Sequence, residues 1–239
     1  MMIYRNSKVI RGNNIIWHYL SWDKFLDLLL TNELWFSSVS SMTDKTEGQI
    51  SDRNANRIRD FILKTYSYKI SLQLDDTFAN RTFISCWSMS REESYALWKI
   101  YLSNSKSGVA IRTTISKLEA AMKKGNSIDD IFVRKILYGD IDVQKHLDAS
   151  QTPQRQVDLL RVSMKKAAYE YEKEVRFICF PNVNPQTEGI RIKLDSLDFI
   201  DGLYFSPLKN SFNETYKTLL KKLKFDIEKV YYESEIKDQ

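Results

Sequence analysis

"NNIIWHYLSWDKFLDLLLTNELWFSSV", residues 13–39, carries the clearest local order in the chain. Its first part, "IIWHYL", is β-branched and aromatic, which suits a pleated, half-buried surface and predicts a strand. Ser21 is a suitable helix N-cap, and Trp22, Phe25, Leu26, Leu29 and Leu30 then recur at helical spacing. "TNE" closes that helix, and "LWFSSV" (Leu34 to Val39) reads as a second short strand. Strand, helix and strand within about thirty residues make one α+β unit.

The same alternation continues outward. Strands are expected over 82–90, 107–114 and 132–140, with a helix, "ISKLEAAMKK", ending at Gly125 between the last two. "EESYALWKIYLS" reads as a helix with Glu92 and Glu93 in its first turn, where the helix dipole favours negative charge. Ile58, Phe61, Ile62 and Tyr66 mark another helix. Val157, Leu160, Met164 and Ala168 extend a helical stripe across 157–170. "EVRFICF" is then a strand stopped by Pro181; "IRIKL" and "FIDGLYFS" follow as strands, 211–224 as a helix and "KVYYESEI" as a last strand. No repeat or linker interrupts the chain. The expected architecture is α+β, a single domain over residues 1–239, with mixed and antiparallel sheets and flanking helices.

Composition narrows the function classes. The chain has 239 residues, of which 43% are hydrophobic and 13% aromatic, enough for a sizeable core. A balance of 36 basic against 31 acidic residues, net +5, permits an anionic partner without identifying one. Cys86, Cys179, His18 and His146 are the only residues of their types, too few for a disulfide framework or a four-thiolate zinc site, so no metal site is expected. "MMIYRNSKVIRGNN" lacks the apolar core of a signal peptide, and the densest apolar run, "FLDLLL", is interrupted by Asp27. These features lead to the expectation of a soluble, cytoplasmic protein with no membrane partner.

A second stretch concentrates charge. "YEYEKEVRF", residues 169–177, places Glu170, Glu172, Glu174 and Arg176 at every second position. In a strand they share one face, and Arg176 lowers the pKa values of Glu172 and Glu174 by pairing. In a helix Glu172 and Arg176 become an i,i+4 ion pair. Val175, Phe177, Ile178 and Phe180 favour a strand starting near Glu172, while residues 169–173 are compatible with either structure. The Glu-x-Lys of a restriction-type nuclease strand is not matched, since Arg176 is the spaced partner of Glu174.

Other residues have two readings each. His18, between Trp17 and Tyr19, is an interior histidine held by one hydrogen bond, or an imidazole edge offered to a ligand hydroxyl. Asp44 and Glu47 in "SMTDKTEG" are a helix N-cap with an acidic first turn, or a carboxylate pair. Ser85, Trp87, Trp98 and Tyr101 are core, or an aromatic wall for a flat ring.

Together "WHYLSWDKFLDLLLTNELWFSS" with "TDKTEG", "FISCWS" with "ALWKIY" and "SGVAI", and "YEYEKEVRF" resemble a bacterial family filed as domain of unknown function 2971. The resemblance runs from about Ile15 to "DGLYFSP", with Thr43 and Tyr169 departing from its usual residues. It implies a setting near mobile or phage-defence genes, including abortive infection and toxin–antitoxin systems. More distantly, the order of motifs is similar to ADP-ribosyltransferases of the DNA-modifying toxin type, which implies a split-sheet architecture and NAD as substrate. On that resemblance His18, with Tyr19 beside it, contacts NAD, and Ser85 or Trp87 marks the nicotinamide wall. Glu174 is the catalytic carboxylate, Glu172 orients or activates the acceptor, and Arg176 positions Glu174 or meets a phosphate. The acceptor is a macromolecule, nucleic acid or protein. A non-catalytic sensor or interaction module on the same fold is the alternative.

Overall fold

The computed structural model describes residues 2–5, 9–42, 52–66, 76–102, 107–123, 130–146, 151–181, 187–208 and 212–236. A short strand, β1 (Ile3–Arg5), precedes the expected unit of β2 (Ile15–Ser21), α1 (Trp22–Thr31) and β3 (Glu33–Ser38). α1 follows an extended Ser21 and ends where Asn32 takes the left-handed conformation, its N–H donating to the Leu28 carbonyl. Asparagine tolerates that conformation better than most residues, so "TN" stops the helix. Next come α2 (Asp52–Tyr66), α3 (Asp76–Arg81), β4 (Phe83–Ser88), α4 (Tyr95–Tyr101), β5 (Gly108–Thr114) and α5 (Ile115–Lys123). The chain continues through β6 (Ile131–Lys135), β7 (Leu137–Tyr138), α6 (Pro153–Arg161), β8 (Met164–Lys165) and β9 (Glu174–Cys179). It closes with β10 (Gly189–Lys193), β11 (Gly202–Phe205), α7 (Asn213–Lys222), α8 (Ile227–Val230) and β12 (Tyr231–Tyr232). The class is mixed α+β, with parallel and antiparallel pairings and flanking helices.

These elements sort into two compact units, each assembled from three separate stretches. The first comprises Met1–Ile10, Phe36–Cys86 and Ile128–Ile190; the second comprises Arg11–Trp35, Trp87–Ser127 and Arg191–Gln239. In the first, β1 runs parallel to β6 and β6 antiparallel to β9, with Val133 opposite Phe177 and Arg134 opposite Arg176. The end of β3 joins β4 through Ser37 opposite Ile84. Ile58 and Ile62 of α2 pack with Val157, Leu160 and Met164, while Val39, Ile84, Phe132, Val162 and Ile178 form a second cluster. In the second unit, β2 and β5 pair antiparallel from Ile15 opposite Thr114 to Ser21 opposite Gly108. β11 adds antiparallel to β5, and β12 parallel to β11. Trp17 and Tyr19 pack on one face of this sheet with Leu97, Trp98, Leu102 and Leu208.

Four expectations need correction. The helical stripe over 157–170 ends at Arg161, because Ser163 donates its hydroxyl to the Leu159 carbonyl and Met164–Lys165 is drawn into a parallel ladder with Leu137–Tyr138. The strand over 132–140 divides into β6 and β7 for the same pairing. Glu92 and Glu93 lie ahead of α4, whose N-cap is Ser94 accepting from the Leu97 N–H. Residues 167–172 form a 3₁₀ helix and Lys173 is left-handed (φ 45°), so β9 starts at Glu174 and Glu172 is outside it. Asp44, Glu47 and Gly125 lie outside the described residues.

Gly108 supports the close approach of β5 to β2. A Cβ there would stand 2.2 Å from the Leu20 carbonyl oxygen and 2.6 Å from Leu102 Cδ2. Backbone on one side leaves little room for relief. Gly108→Ala is expected to cost about 2 kcal/mol or more by overpacking. Urea unfolding checks this, and a variant within about 0.5 kcal/mol of wild type would show that the strands separate easily.

Candidate functional site

The head of β9 gathers a network of charged side chains in the first unit. Glu174 and Arg176, two apart on one strand, share a face as the alternation predicts. Arg176 Nε donates to Glu174 Oε1 at 2.6 Å and Nη2 to Oε2 at 3.1 Å, a bidentate pair. Its Nη1 donates to the Val162 carbonyl at 2.9 Å, just past α6. Lys165 Nζ lies 2.9 Å from Glu174 Oε2 and 2.8 Å from Glu172 Oε2. The left-handed Lys173 turns the chain so that the two carboxylates meet one ammonium. Two cations and two carboxylates thus close a neutral network.

Burial sets the electrostatics. Arg176 is 1% exposed and Glu174 4%, whereas the side chains of Lys165 and Glu172 keep 12% and 15%. Burial alone pushes the Glu174 carboxyl up, but the Arg176 charge and hydrogen bonds, Lys165 and the Cys86 thiol outweigh it and hold the pKa down to about 2. Glu174 is therefore ionised throughout the physiological range. Tyr138 accepts the Glu174 backbone N–H at 2.8 Å. Burial, with Glu174 and Glu172 adding to it, raises the Tyr138 phenol to about 12, against the Glu174 N–H and Lys165.

Of the residues singled out in the sequence, Glu172, Glu174 and Arg176 come together here. Lys165, Cys86 and Tyr138 were missed. Lys165 sat inside a stretch that reads as helix, and its role appears only once α6 stops. Ser85 is buried on β4 in the same unit, beside Cys86, and alternation sends the two side chains to opposite faces.

His18, Tyr19 and Trp87 belong to the second unit. The His18 ring lies on the Trp87 ring with centroids 4.6 Å apart and planes at 21°. Tyr19 points to the opposite face of β2, is 5% exposed, and its hydroxyl accepts the Ser94 N–H at 2.7 Å. It packs against Trp98 and Tyr101, so two of the three α4 aromatics bear on a core tyrosine. His18 and Tyr19 accordingly face different surroundings.

A cavity of about 40 Å³ in the first unit is lined by Ile10, Arg134, His146, Gln156 and Ser163, among others. That volume accommodates about one or two waters and is far too small for a dinucleotide. Among the described residues no group of three or more His, Cys, Asp or Glu is placed to hold a metal ion, and no helix is long and apolar enough to cross a membrane. Neither a scan of protein-family models nor a search of curated proteins finds a match to this chain.

Two predictions follow from the geometry. Arg176→Met strands the Glu174 charge in the interior and is expected to cost about 3–5 kcal/mol; adding Glu174→Met should recover much of that loss. Denaturant titration of the single and double variants measures the coupling, and additive losses would show that the pair is uncoupled. The acid side supplies a separate test. Glu174 is depressed from its ordinary 4.5 to about 2, so its stabilisation is complete above about pH 4.5 and is lost as pH falls towards 2. The loss is on the order of 3 kcal/mol, and stability against pH should flatten in that window when Glu174 is Gln.

Proposed function

We propose that this chain is an NAD-dependent ADP-ribosyltransferase-like protein that acts on a macromolecular target in a bacterial phage-defence or toxin–antitoxin setting. The observation that supports the reading is Glu174, a carboxylate held ionised at the head of a strand with a second acid, Glu172, joined to it through Lys165. Transfer of ADP-ribose breaks the bond between ribose C1′ and the nicotinamide nitrogen, which keeps the electron pair as nicotinamide leaves. Positive charge develops at C1′, and a fixed carboxylate lowers that barrier by electrostatics without having to change protonation. Glu172, the more exposed acid, takes the proton of the attacking acceptor group.

A second reading has its own support. Both Glu174 oxygens are engaged, and 5% of its side chain is exposed, as suits a structural clasp in a non-catalytic interaction module. Under the transferase reading Lys165 must leave Oε2 before the carboxylate can face ribose, and Lys165 is the partner with some exposure.

Incubation with labelled NAD and cell extract decides between them. Wild type is expected to label a macromolecule. Glu174→Gln should lose about a hundredfold or more in rate, the usual scale for a removed electrostatic stabiliser. Glu172→Gln should lose transfer while still releasing nicotinamide. Melting curves of each variant separate lost chemistry from lost fold. Wild type that neither labels nor consumes NAD would leave the interaction module.

A further inference from the structure

We infer that the sheet face around Gly202, in the second unit, binds a nucleotide, with phosphate on Arg112 and the base against the Tyr204–Tyr232 ring pair. The inference does not rest on the transferase reading. Register puts Trp17 opposite Arg112, Arg112 opposite Gly202, and Tyr204 opposite Tyr232. Gly202 and Tyr204 are two apart on β11, so all five residues share one face. His18 pairs with Ile111 and lies on the other.

Three side chains converge where Gly202 has none. A Cβ at that position would come within 2.9 Å of Tyr204 Cε2, 3.3 Å of Tyr232 Cδ2 and 3.4 Å of Arg112 Cβ. The Tyr204 ring therefore occupies the space above the glycine, and glycine is what lets it do so. Tyr204 and Tyr232 stack with centroids 5.3 Å apart and planes at 13°, and Trp17 meets Tyr204 edge-on at 4.9 Å. Tyr232, on the last strand of this sheet, keeps 46% of its surface exposed.

The charge points to the ligand. Among the described residues the Arg112 guanidinium makes no hydrogen bond and no ion pair, although it is half-buried. A partly desolvated cation with its donors unused is a ready contact for phosphate. A bare anion would have no use for two stacked rings, whereas a nucleobase has a flat face for them. Glu93 and Glu235 are the carboxylates acting on Tyr204. Glu93 is occupied by Trp98 Nε1, the Ser234 hydroxyl and the Glu235 N–H, while Glu235 is exposed and opposes an anion.

The test is fluorescence anisotropy of a labelled short oligothymidylate at low salt, with thymidine monophosphate and inorganic phosphate as competitors. Wild type should bind, and Arg112→Gln and Tyr232→Leu should each weaken binding about tenfold or more, with unchanged melting temperatures. Glu235→Gln should tighten it. Competition by thymidine monophosphate assigns the site to free nucleotides, and competition only by unlabelled strand assigns it to single-stranded nucleic acid; both support the inference. No binding by wild type, variants that bind as wild type does, or displacement by inorganic phosphate as effective as by the monophosphate would overturn it.

Discussion

Burying the Arg176 guanidinium is the constraint from which the first unit is organised. A cation taken out of water costs several kcal/mol unless a counter-charge and hydrogen bonds meet it. The demand is raised because Arg134, itself buried, stands directly opposite Arg176 in the β6–β9 ladder, and like charges in that position repel. Glu174 answers it from the same strand face. The Val162 carbonyl, free because α6 has just ended, takes another donor, and Lys165 balances the second acid. Helix end, short parallel ladder, 3₁₀ turn and β9 are thus tied to one group.

The second unit is organised by contact rather than charge. Its central ladder brings β2 and β5 together over seven register pairs, and Gly108 at one end permits an approach that any side chain would block. Gly202 does something different on β11: it makes room for aromatic rings to lie across the strand. One glycine serves backbone packing and the other shapes a surface. That surface retains an arginine whose guanidinium, among the described residues, makes no hydrogen bond or ion pair.

Legibility in the sequence followed locality. The strand–helix–strand of residues 15–38 was readable because its signals are short-range: a β-branched run, a helical stripe and an asparagine stop. The shared face of Glu174 and Arg176 was readable for the same reason. What failed was decided by partners distant in sequence. Met164 and Ala168 continue a helical stripe, yet β7 captures Met164 into a ladder. Glu93 suits a helix first turn, but Trp98, Ser234 and Glu235 claim its carboxylate instead. Lys173 gives no sequence signal for a positive φ, so the separation of Glu172 from the strand was invisible. Lys165, Cys86 and Tyr138 could be placed beside Glu174 only once those turns were known.

Both readings of the Glu174 cluster turn on Lys165. With Lys165 in place the network is neutral, and a neutral buried cluster does little to attract or repel a ligand. Displacing the ammonium would leave two carboxylates facing one retained guanidinium, a net negative site beside Tyr138. Such a site stabilises positive charge, which is what a departing nicotinamide creates at ribose. The same displacement would be costly without a ligand, because Glu172 would lose its ion pair with Lys165, which also holds Glu174. On the transferase proposal, the clasp and the catalytic site would therefore be two states of one arrangement. The free energy separating them is set by how firmly Lys165, the more exposed of the network's two cations, is held by two acids at once.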